Sequence, residues 1–432
     1  MATRKARKST ELLNIYLNGT HIGKLERETT GAISFSYASS WIESEHAFPI
    51  SRQLPLQENS FSGKIIRDYF DNLLPDDRRI REKLAAQSQA KGIQPFDLLS
   101  ALGKDCVGAL QFYPEGMEPG EIAPAKGKVI SDSKIAETLR NLQIKPLGID
   151  RDSDFRISLA GVQNKTALLW NKNKWMIPLG PTPTTHILKP AIGKHQGGPD
   201  FSLSVENEWL CLKILRAYGL HVADAEIIDF EDIRVLSVKR FDREWVKTKL
   251  YRIPQEDLCQ AFGVGPENKY ESDGGPGIVA ILNLLNESDR RDEDRKNFIK
   301  TQIIFWLIAA IDGHAKNFSI FNKAKGFSLT PIYDVMSADP HVNPKTLPFE
   351  KIKLAMAVGD SRHYKIKEIL PRHWRQTAAK GKFAEIDELI EEVRTQTESV
   401  VKTVNSNLPR HFPKKISEPI FKTMIKRSKT LK

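Results

Sequence analysis

The order of strand-like and helix-like segments between residues 155 and 238 restricts the fold most. Strands are favoured where short apolar, β-branched or aromatic runs end at turn residues, and a helix is favoured where apolar residues recur every three or four positions. The predicted order is strand, strand, strand, helix, strand and strand, at 155–159, 166–170, 185–189, 205–218, 226–230 and 233–238. The third strand ends on Lys189, Ser204 is a candidate cap for the helix, and Gly219 is a candidate stop.

Two changes in composition divide the chain into three predicted parts. Residues 114–128 are rich in Pro, Gly and charge and mark a connector. After residue 240 helical spacing dominates. We therefore predict an α+β part at 1–130, a small β-rich lobe at 131–245 and an all-helical large lobe at 246–432.

The bulk composition excludes several classes of protein. The longest apolar run, at 303–311, is too short for the ~20 residues that a helix needs to cross a bilayer. No apolar segment follows the basic start of the chain, so a secretory signal is not expected. The three cysteines are odd in number and widely spaced, which argues against a disulfide framework or a metal cluster. We expect a cytoplasmic protein without a membrane partner.

The net charge of +11 is concentrated at the two ends of the chain. Residues 1–10 contain four basic and no acidic residues, and residues 401–432 contain nine Lys and Arg against one Glu. Basic ends of this kind either attract nucleic-acid phosphates or are solvated, disordered tails.

The segment from Ala310 to Phe318 carries the strongest chemical pattern. Asp312 and Asn317 stand five positions apart after a predicted helix, as in the catalytic loop of a kinase. Asp334 follows 22 residues after Asp312 and adds a second carboxylate. An Asp orients an acceptor hydroxyl, whereas Asn and Asp oxygens suit Mg²⁺. His314 or Lys316 is a candidate contact for the γ-phosphate.

The preceding segments supply the other parts that phosphoryl transfer needs. Lys189 is expected to hold the α- and β-phosphates. Glu208 on the following helix is its candidate partner, although Glu206 competes for that role. The turn at 158–165 has one glycine, so by itself it predicts only a turn whose N–H groups are able to line an anion site.

Several long stretches of the sequence resemble the HipA family of bacterial persistence toxins. The stretches cover the chain from about residue 10 to about residue 410: FDNLLPDD, QPFDLLSALGKDCVGAL, DFRISLAGVQNKTALL, TPTTHILK, VKRFDR, RIPQEDLCQAFG, KYESDGGPG, IDGHAKNFS and LTPIYDVMSA. The resemblance implies an α+β, protein-kinase-like two-lobed fold, with a small β-rich lobe, a large helical lobe and an extra N-terminal α+β subdomain. It implies a serine/threonine protein kinase that uses ATP and Mg²⁺.

The resemblance also carries roles onto particular residues. Asp312 is implied to be catalytic, Asn317 and Asp334 to bind the metal, and Ser158 to be the autophosphorylated serine. Phosphate on Ser158 would add about −1.5 to −2 charges at the phosphate loop, so we expect it to inactivate the enzyme. The implied ATP contacts are Ala160, Gly161, Val162, Gln163, Asn164, Lys165, Lys189, Lys239, Arg240, Phe241, His314, Lys316, Asn317, Tyr333 and Asp334.

The partners implied by the resemblance are proteins and DNA. They are a HipB-like antitoxin dimer, operator DNA bound through the antitoxin complex, and a protein substrate of the aminoacyl-tRNA synthetase class such as glutamyl-tRNA synthetase. Lys380 and Lys382 match DNA-facing positions. The sequence departs from the usual pattern at Lys239, where an acidic residue is common, and at Val162 and Asn164 in the loop.

Two other functions remain open at this point. A small-molecule phosphotransferase also uses an Asp and an Asn five residues apart, but usually has His-Gly or a similar pair where Ala310-Ile311 stands. A catalytically silent corepressor on DNA is expected to have lost Asp312, Asn317 or Asp334, and all three are present.

Overall fold

The computed structural model describes residues 11–149, 156–161, 163–194 and 197–432. It separates into two compact units. The first consists of the described part of Met1–Thr185 with Asp242–Glu267 and Asn322–Lys325, and the second of the described part of His186–Phe241 with Asn268–Phe321 and Gly326–Lys432.

The first unit contains two antiparallel sheets, a hairpin and short helices. Its larger sheet has the strand order Phe61–Ser62, Ile33–Tyr37, Thr20–Arg27, Glu11–Leu17 and Leu110–Pro114. The other strands are Thr166–Asn171, Lys174–Pro178 and Gly127–Val129, then the hairpin Arg243–Val246 and Lys249–Arg252, and Gln255–Asp257. The helices are Ser39–Ile42, Lys64–Asp71, Arg78–Ser88, Pro95–Leu102, Asp132–Arg140 and Leu258–Ala261.

Aromatic rings fill the core between the larger sheet and the helices of the first unit. Phe35, Phe70 and Phe112 are fully buried. The Phe70 ring packs edge-on against Phe112 at 5.7 Å and against Phe35 at 6.0 Å, a geometry that aromatic pairs prefer.

The second unit is a short antiparallel sheet followed by helices and further small strands. Its strands are His186–Pro190, Gly193–Lys194, Asp200–Phe201, Ala225–Phe230, Ile233–Lys239, Ser319–Lys323 (which ends at the boundary of the unit), Gly326–Leu329, Lys353–Val358 and His363–Lys365. Its helices are Ser204–Ala217, Ile278–Leu284, Arg291–Leu307, Pro371–Lys380, Ile386–Ser406 and Lys414–Ser428. Within the described ranges, none of the helices combines the length and the apolar character that crossing a membrane requires.

Two helices of the second unit lead to the candidate site. Ser204–Ala217 buries most of its length and stops before Gly219, whose φ of +83° suits a glycine. Arg291–Leu307 has three acidic residues in its first turn, which interact favourably with the partial positive charge of a helix N-terminus. It ends at Ile308, and Ala309 has a φ of +50°, so the chain leaves the helix shortly before Asp312.

Three sequence-based expectations about secondary structure are wrong in detail. Residues 246–432 are not all-helical, because short strands such as Gly326–Leu329 and Lys353–Val358 lie among the helices. These two strands are four and six residues long and are buried on both faces after their first residue, so their sequences show no period of two that distinguishes a strand from a helix. The predicted strand at 155–159 is irregular over its described residues 156–159, where Ser158 N–H donates to the Asp105 carbonyl. Ser204 begins the helix without capping it, since its hydroxyl accepts from Ile192 N–H.

Of the two alternatives left open for the basic ends of the chain, a disordered tail is excluded over most of the C-terminal end. Lys414–Ser428 is a helix that buries Ile416, Ile420, Phe421 and Met424. Residues 1–10 lie outside the described residues. The three-part division at 130/131 and 245/246 stays a prediction.

Candidate active site

Lys189 connects two carboxylates at the centre of the second unit. It stands in the strand His186–Pro190, directly opposite Leu236 of the neighbouring strand. Its Nζ donates to Glu208 Oε1 at 2.8 Å and to Asp334 Oδ1 at 2.9 Å. One ammonium group therefore ties a strand, a helix and the segment that carries Asp334.

The cluster places one buried ammonium group between two carboxylates. Burial by itself lowers the pKa of the Lys189 ammonium, but Asp334 and then Glu208 raise it, and the net pKa lies well above the usual lysine value. Glu208 is 2% exposed. Glu206, the competing candidate, instead accepts from Arg234 at 3.1 Å. The geometry thus decides between the two glutamates in favour of Glu208.

Aromatic packing holds the loop that contains Asp312 in place. Phe318 is buried against Phe298 at 5.2 Å and against Phe305 at 6.0 Å. A Cβ on Gly313 would come within 2.6 Å of the Phe305 ring, so only glycine permits this close approach. Packing of this kind holds the loop against the preceding helix.

Asp312 and Asn317 face each other across this loop. Asn317 Nδ2 donates to the backbone carbonyl of Asp312 at 2.7 Å, which fixes the amide and leaves its carbonyl oxygen pointing elsewhere. The side chain of Asp312 is 56% exposed, and its Oδ1 lies 3.7 Å from Nε2 of the buried His314. Burial lowers the pKa of His314, with Asp312 acting in the opposite direction. His314 is therefore mainly neutral at pH 7.

The residues around Asp334 contact the same loop. The Tyr333 hydroxyl bonds Ser319 Oγ at 2.6 Å and donates to the Lys316 carbonyl at 3.1 Å. Asp334 has a φ of +58°, an uncommon backbone conformation outside glycine that is often found at functional sites. These bonds bring the Asp334 segment to the loop that contains Asp312 and Asn317.

The donor chemistry of this site fits a hard divalent cation. Mg²⁺ prefers oxygen ligands, commonly one or two carboxylates completed by substrate phosphates and water. Asn317 offers a carbonyl oxygen and Asp334 a carboxylate. Among the described residues, no group of three or more His, Cys, Asp and Glu side chains forms a self-sufficient metal cage.

Comparison with known families decides the relationship. The family described as HipA-like C-terminal domain matches residues 157–405, and the HipA N-terminal domain matches residues 13–113. This chain belongs to the HipA family. Its fold is the α+β, kinase-like fold of that family, and its relatives identify it as a kinase.

Individual HipA relatives match over most of their length. A putative kinase, Y4mE of Sinorhizobium fredii, is 34% identical over 361 residues, 81% of each chain. The serine/threonine-protein kinase toxin HipA of Shewanella oneidensis is 27% identical and covers 81% of this chain and 79% of its own. A solved complex of HipA, HipB and operator DNA from Shewanella oneidensis MR-1 matches with a TM-score of 0.78 and 23% identity, over 96% of each chain.

The phosphate-loop residues that the HipA resemblance implied lie in the first unit. Lys165 Nζ donates to the Ala160 carbonyl at 2.8 Å and closes the turn. Gly161 has a φ of +95°, and a Cβ there would approach Lys165 Nζ to 2.8 Å. Gln163 and Asn164 follow, whereas Val162 lies outside the described residues. The ATP contacts assigned to this loop stay a prediction.

Ser158 is completely buried in the first unit. Its hydroxyl donates to the Leu73 carbonyl at 2.7 Å, within the FDNLLPDD stretch. In this arrangement the hydroxyl is not accessible to a phosphoryl donor. Its autophosphorylation therefore stays a prediction, and it requires the segment to leave this position.

The implied ATP contacts Lys239, Arg240 and Phe241, called the hinge from here on, lie at the end of the strand Ile233–Lys239 of the second unit. Lys239 is exposed and Arg240 is buried. The Phe241 ring packs against Tyr333 at 5.6 Å, so the hinge contacts the residue next to Asp334. The ATP contacts that the resemblance implied for these three residues stay a prediction.

The two lysines predicted to face DNA lie near the end of the helix Pro371–Lys380. Lys380 Nζ forms a 2.8 Å ion pair with Asp360, with both side chains about half exposed. Lys382 follows with a φ of +52°. Their contact with DNA stays a prediction.

Sequence reasoning missed two residues that contact this machinery. Tyr270 donates its hydroxyl proton to Asp312 Oδ1. Asn207, next to Glu208, bonds the backbone of Ser337. Tyr270 lies in the family stretch KYESDGGPG, so its position was visible, but nothing in the pattern linked it to a residue 42 positions away.

Proposed function

We propose that this HipA-family kinase transfers the γ-phosphate of ATP to a protein serine and acts as the toxin of a toxin–antitoxin module. The observation that carries the proposal is the joint bonding of Lys189 to Glu208 and Asp334. A lysine–glutamate ion pair together with a positioned metal-binding Asp is what an active kinase centre requires.

Four residues of the second unit have a defined role in this proposal. Asp312 accepts the proton of the serine hydroxyl as that oxygen attacks phosphorus. Lys189 neutralises charge on the α- and β-phosphates. His314 and Lys316 contact the γ-phosphate. Little covalent work is required of the chain, because phosphoryl transfer depends mainly on positioning and charge stabilisation.

ATP and Mg²⁺ are the proposed cofactors. Asn317 and Asp334 would hold the metal, which neutralises charge on the phosphates. The remaining ATP contacts are assigned to residues 160–165, to the hinge Lys239–Phe241 and to Tyr333. Lys189 would exchange part of its bonding from Asp334 to phosphate when the nucleotide binds.

The proposed protein substrate belongs to the aminoacyl-tRNA synthetase class, such as glutamyl-tRNA synthetase. Loss of tRNA charging would slow translation and growth. Autophosphorylation at Ser158 would switch the enzyme off, because a phosphate there repels the phosphates of ATP.

The proposed partners are a HipB-like antitoxin dimer and, through it, operator DNA. Support comes from the Shewanella oneidensis complex, in which HipA occurs with HipB and operator DNA. Lys380 and Lys382 are the proposed DNA-facing residues, and the toxin and antitoxin together would repress transcription. The proposed location is the cytoplasm.

A phosphoproteome after induced expression tests the substrate class. Wild type and Asp312→Gln are expressed at equal levels, and serine phosphopeptides are compared. We expect a small set of synthetase phosphoserines that requires Asp312. A silent corepressor would give identical phosphoproteomes, and a small-molecule phosphotransferase would consume ATP without producing new phosphopeptides.

A further inference from the structure

We propose that Tyr270 is a positioning residue for phosphoryl transfer, because it holds one oxygen of Asp312 and directs the other toward the acceptor hydroxyl. This inference rests on the proposed role of Asp312 as the proton acceptor. The carrying observation is the hydrogen bond that the Tyr270 hydroxyl donates to Asp312 Oδ1.

The two oxygens of Asp312 have different surroundings. Tyr270 and His314 both approach Oδ1. Within the described part of the chain, no side chain bonds Oδ2. A half-exposed aspartate would otherwise rotate freely about its terminal torsion. The Tyr270 bond removes that freedom, so that Oδ2 is presented to an incoming hydroxyl without a further entropic penalty.

Tyr270 is itself fixed against the catalytic loop. Its ring packs edge-on against His314, with centroids 4.9 Å apart and an interplanar angle of 88°. The carbonyl of its neighbour Lys269 accepts from Ala315 N–H at 3.3 Å. The hydroxyl therefore reaches Asp312 from a backbone that is attached to the same loop.

The glycines after Tyr270 allow this placement. The Tyr270 carbonyl accepts from Asp273 N–H at 3.0 Å and from Gly275 N–H at 2.9 Å, which folds the chain back on itself. A Cβ on Gly275 would lie 2.4 Å from the Asn268 carbonyl oxygen and 2.9 Å from that of Tyr270. A Cβ at position 275 therefore requires the backbone of residues 268–270, which carries Tyr270, to shift from the position it has here.

The far side of this loop is also anchored. Glu271 Oε2 accepts from Ala357 N–H at 2.6 Å, and a Cβ on Gly277 would clash with the Glu271 carboxylate. These contacts hold the stretch KYESDGGPG in place, and with it the hydroxyl group of Tyr270 beside Asp312.

Tyr270→Phe tests the proposal with the full-length protein. The probe is transfer from radiolabelled ATP to dephosphorylated casein as a generic serine acceptor. We expect kcat to fall about 10-fold, the effect of losing one hydrogen bond to a charged group. The KM for ATP and the melting temperature should stay at wild-type values, since the ring and its packing remain. Tyr364→Phe, which removes a hydroxyl bonded to Arg362, is the matched control and should keep full activity.

Three outcomes would overturn the inference. An unchanged kcat means that the bond does not act on the reaction. A raised kcat means that Tyr270 obstructs the acceptor. A lower melting temperature together with a weaker affinity for ATP means that the role of Tyr270 is structural. Gly275→Ala provides a second arm and should lower kcat without changing the KM for ATP; full activity would contradict the proposal.

A double variant separates this inference from the proposed function. If Tyr270 acts only through Asp312, Tyr270→Phe causes no further loss of the residual single-turnover rate in an Asp312→Asn background. A further 10-fold loss there overturns the inference. Wild-type activity of Asp312→Asn alone would remove the proposed function, whereas an inactive Asp312→Asn with a fully active Tyr270→Phe would remove only the inference.

Discussion

Asn207 holds Ser337 by both of its backbone groups. Its Nδ2 donates to the Ser337 carbonyl at 2.8 Å, and its Oδ1 accepts from Ser337 N–H at 2.9 Å. Asn207 is fully buried and precedes Glu208, the partner of Lys189, while Ser337 follows Asp334 by three residues. The helix Ser204–Ala217 is therefore joined to the segment that carries Asp334 directly, through Asn207, and indirectly, through Glu208 and Lys189.

Replacing Asn207 by Ala should loosen the Asp334 segment. Two buried backbone groups would lose their partners, each at about 1–3 kcal/mol. We expect a lower melting temperature and a weaker response of the rate to Mg²⁺ concentration. Asn207→Asp keeps the acceptor but places a carboxylate oxygen against the Ser337 carbonyl in a fully buried position, so it should destabilise the protein at least as much as Ala. An Ala variant with wild-type stability and metal dependence would contradict this role.

Removing the charge of Lys189 should be destructive in two ways. Lys189→Met leaves Glu208 buried without its cation, which costs about 3–5 kcal/mol in comparable buried pairs. It also removes the proposed phosphate contact, so transfer from ATP should be lost. Lys189→Met combined with Glu208→Leu should recover stability but not activity, as measured by thermal unfolding and radiolabel transfer. Recovery of both would place the phosphate contact elsewhere.

The C-terminal helix should depend on one buried ion pair. Arg427 bonds both carboxylate oxygens of Asp339, at 2.7 and 2.6 Å, and also the Leu307 carbonyl at the end of the helix before Asp312. Arg427→Met should destabilise the protein by about 3–5 kcal/mol, because Asp339 stays buried without its partner. The exposed neighbour Lys426→Met should change stability by less than about 0.5 kcal/mol. Equal effects of the two variants would contradict the assignment.

Glu256 should make the first unit less stable as pH rises. Burial raises the pKa of Glu256 from its ordinary 4.5 to about 7, against opposing hydrogen bonds that include Arg52 N–H at 3.1 Å. The folded state thus binds more protons than the unfolded state between pH 4.5 and 7. Stability attributable to this group is lost across that window, on the order of 3 kcal/mol.

The variant Glu256→Gln isolates this effect. Its melting temperature should be similar to wild type at pH 5 and higher than wild type at pH 8. The exposed Glu45→Gln should follow wild type at both values. A Glu256→Gln variant that melts below wild type at pH 8 would show that the carboxylate is stabilised in the folded protein.

The prediction for Ser158 follows from its burial. Ser158→Ala should remove one phosphate from the intact mass of protein incubated with ATP, and phosphorylation of wild type should be slow, because the hydroxyl must first leave the Leu73 carbonyl. A mass increase of one phosphate on the Ala variant would place the site elsewhere.

The sequence was sufficient for some parts of this site and insufficient for others. Asp312, Asn317 and Lys189 could be predicted from the sequence because the spacing of the first two and the strand position of the third follow from the chemistry of phosphoryl transfer. The sequence could not decide whether Glu206 or Glu208 pairs with Lys189, because both lie on one short stretch of helix. Only the packed structure shows which of the two contacts Lys189. Tyr270 and Asn207 act through contacts between segments far apart in the chain, and periodicity carries no information about such pairs.

The fold shows a similar limit. The helix before Gly219 and the strands around the turn at Glu231 were predictable, because a stop glycine and a tight turn are local signals. The short strands between residues 243 and 365 were missed, since their identity as strands depends on pairing with distant partners.

The most direct test of the central claim, that Asp312 accepts the proton in phosphoryl transfer, is the transfer of radiolabel from ATP by purified Asp312→Gln. The variant is measured beside wild type, after circular dichroism spectra and Mg²⁺–ATP affinities have been shown to match. The account predicts that the variant binds nucleotide normally but loses about 10²-fold or more of the transfer rate, the usual contribution of a positioned proton acceptor. A variant that transfers phosphate at the wild-type rate would contradict it.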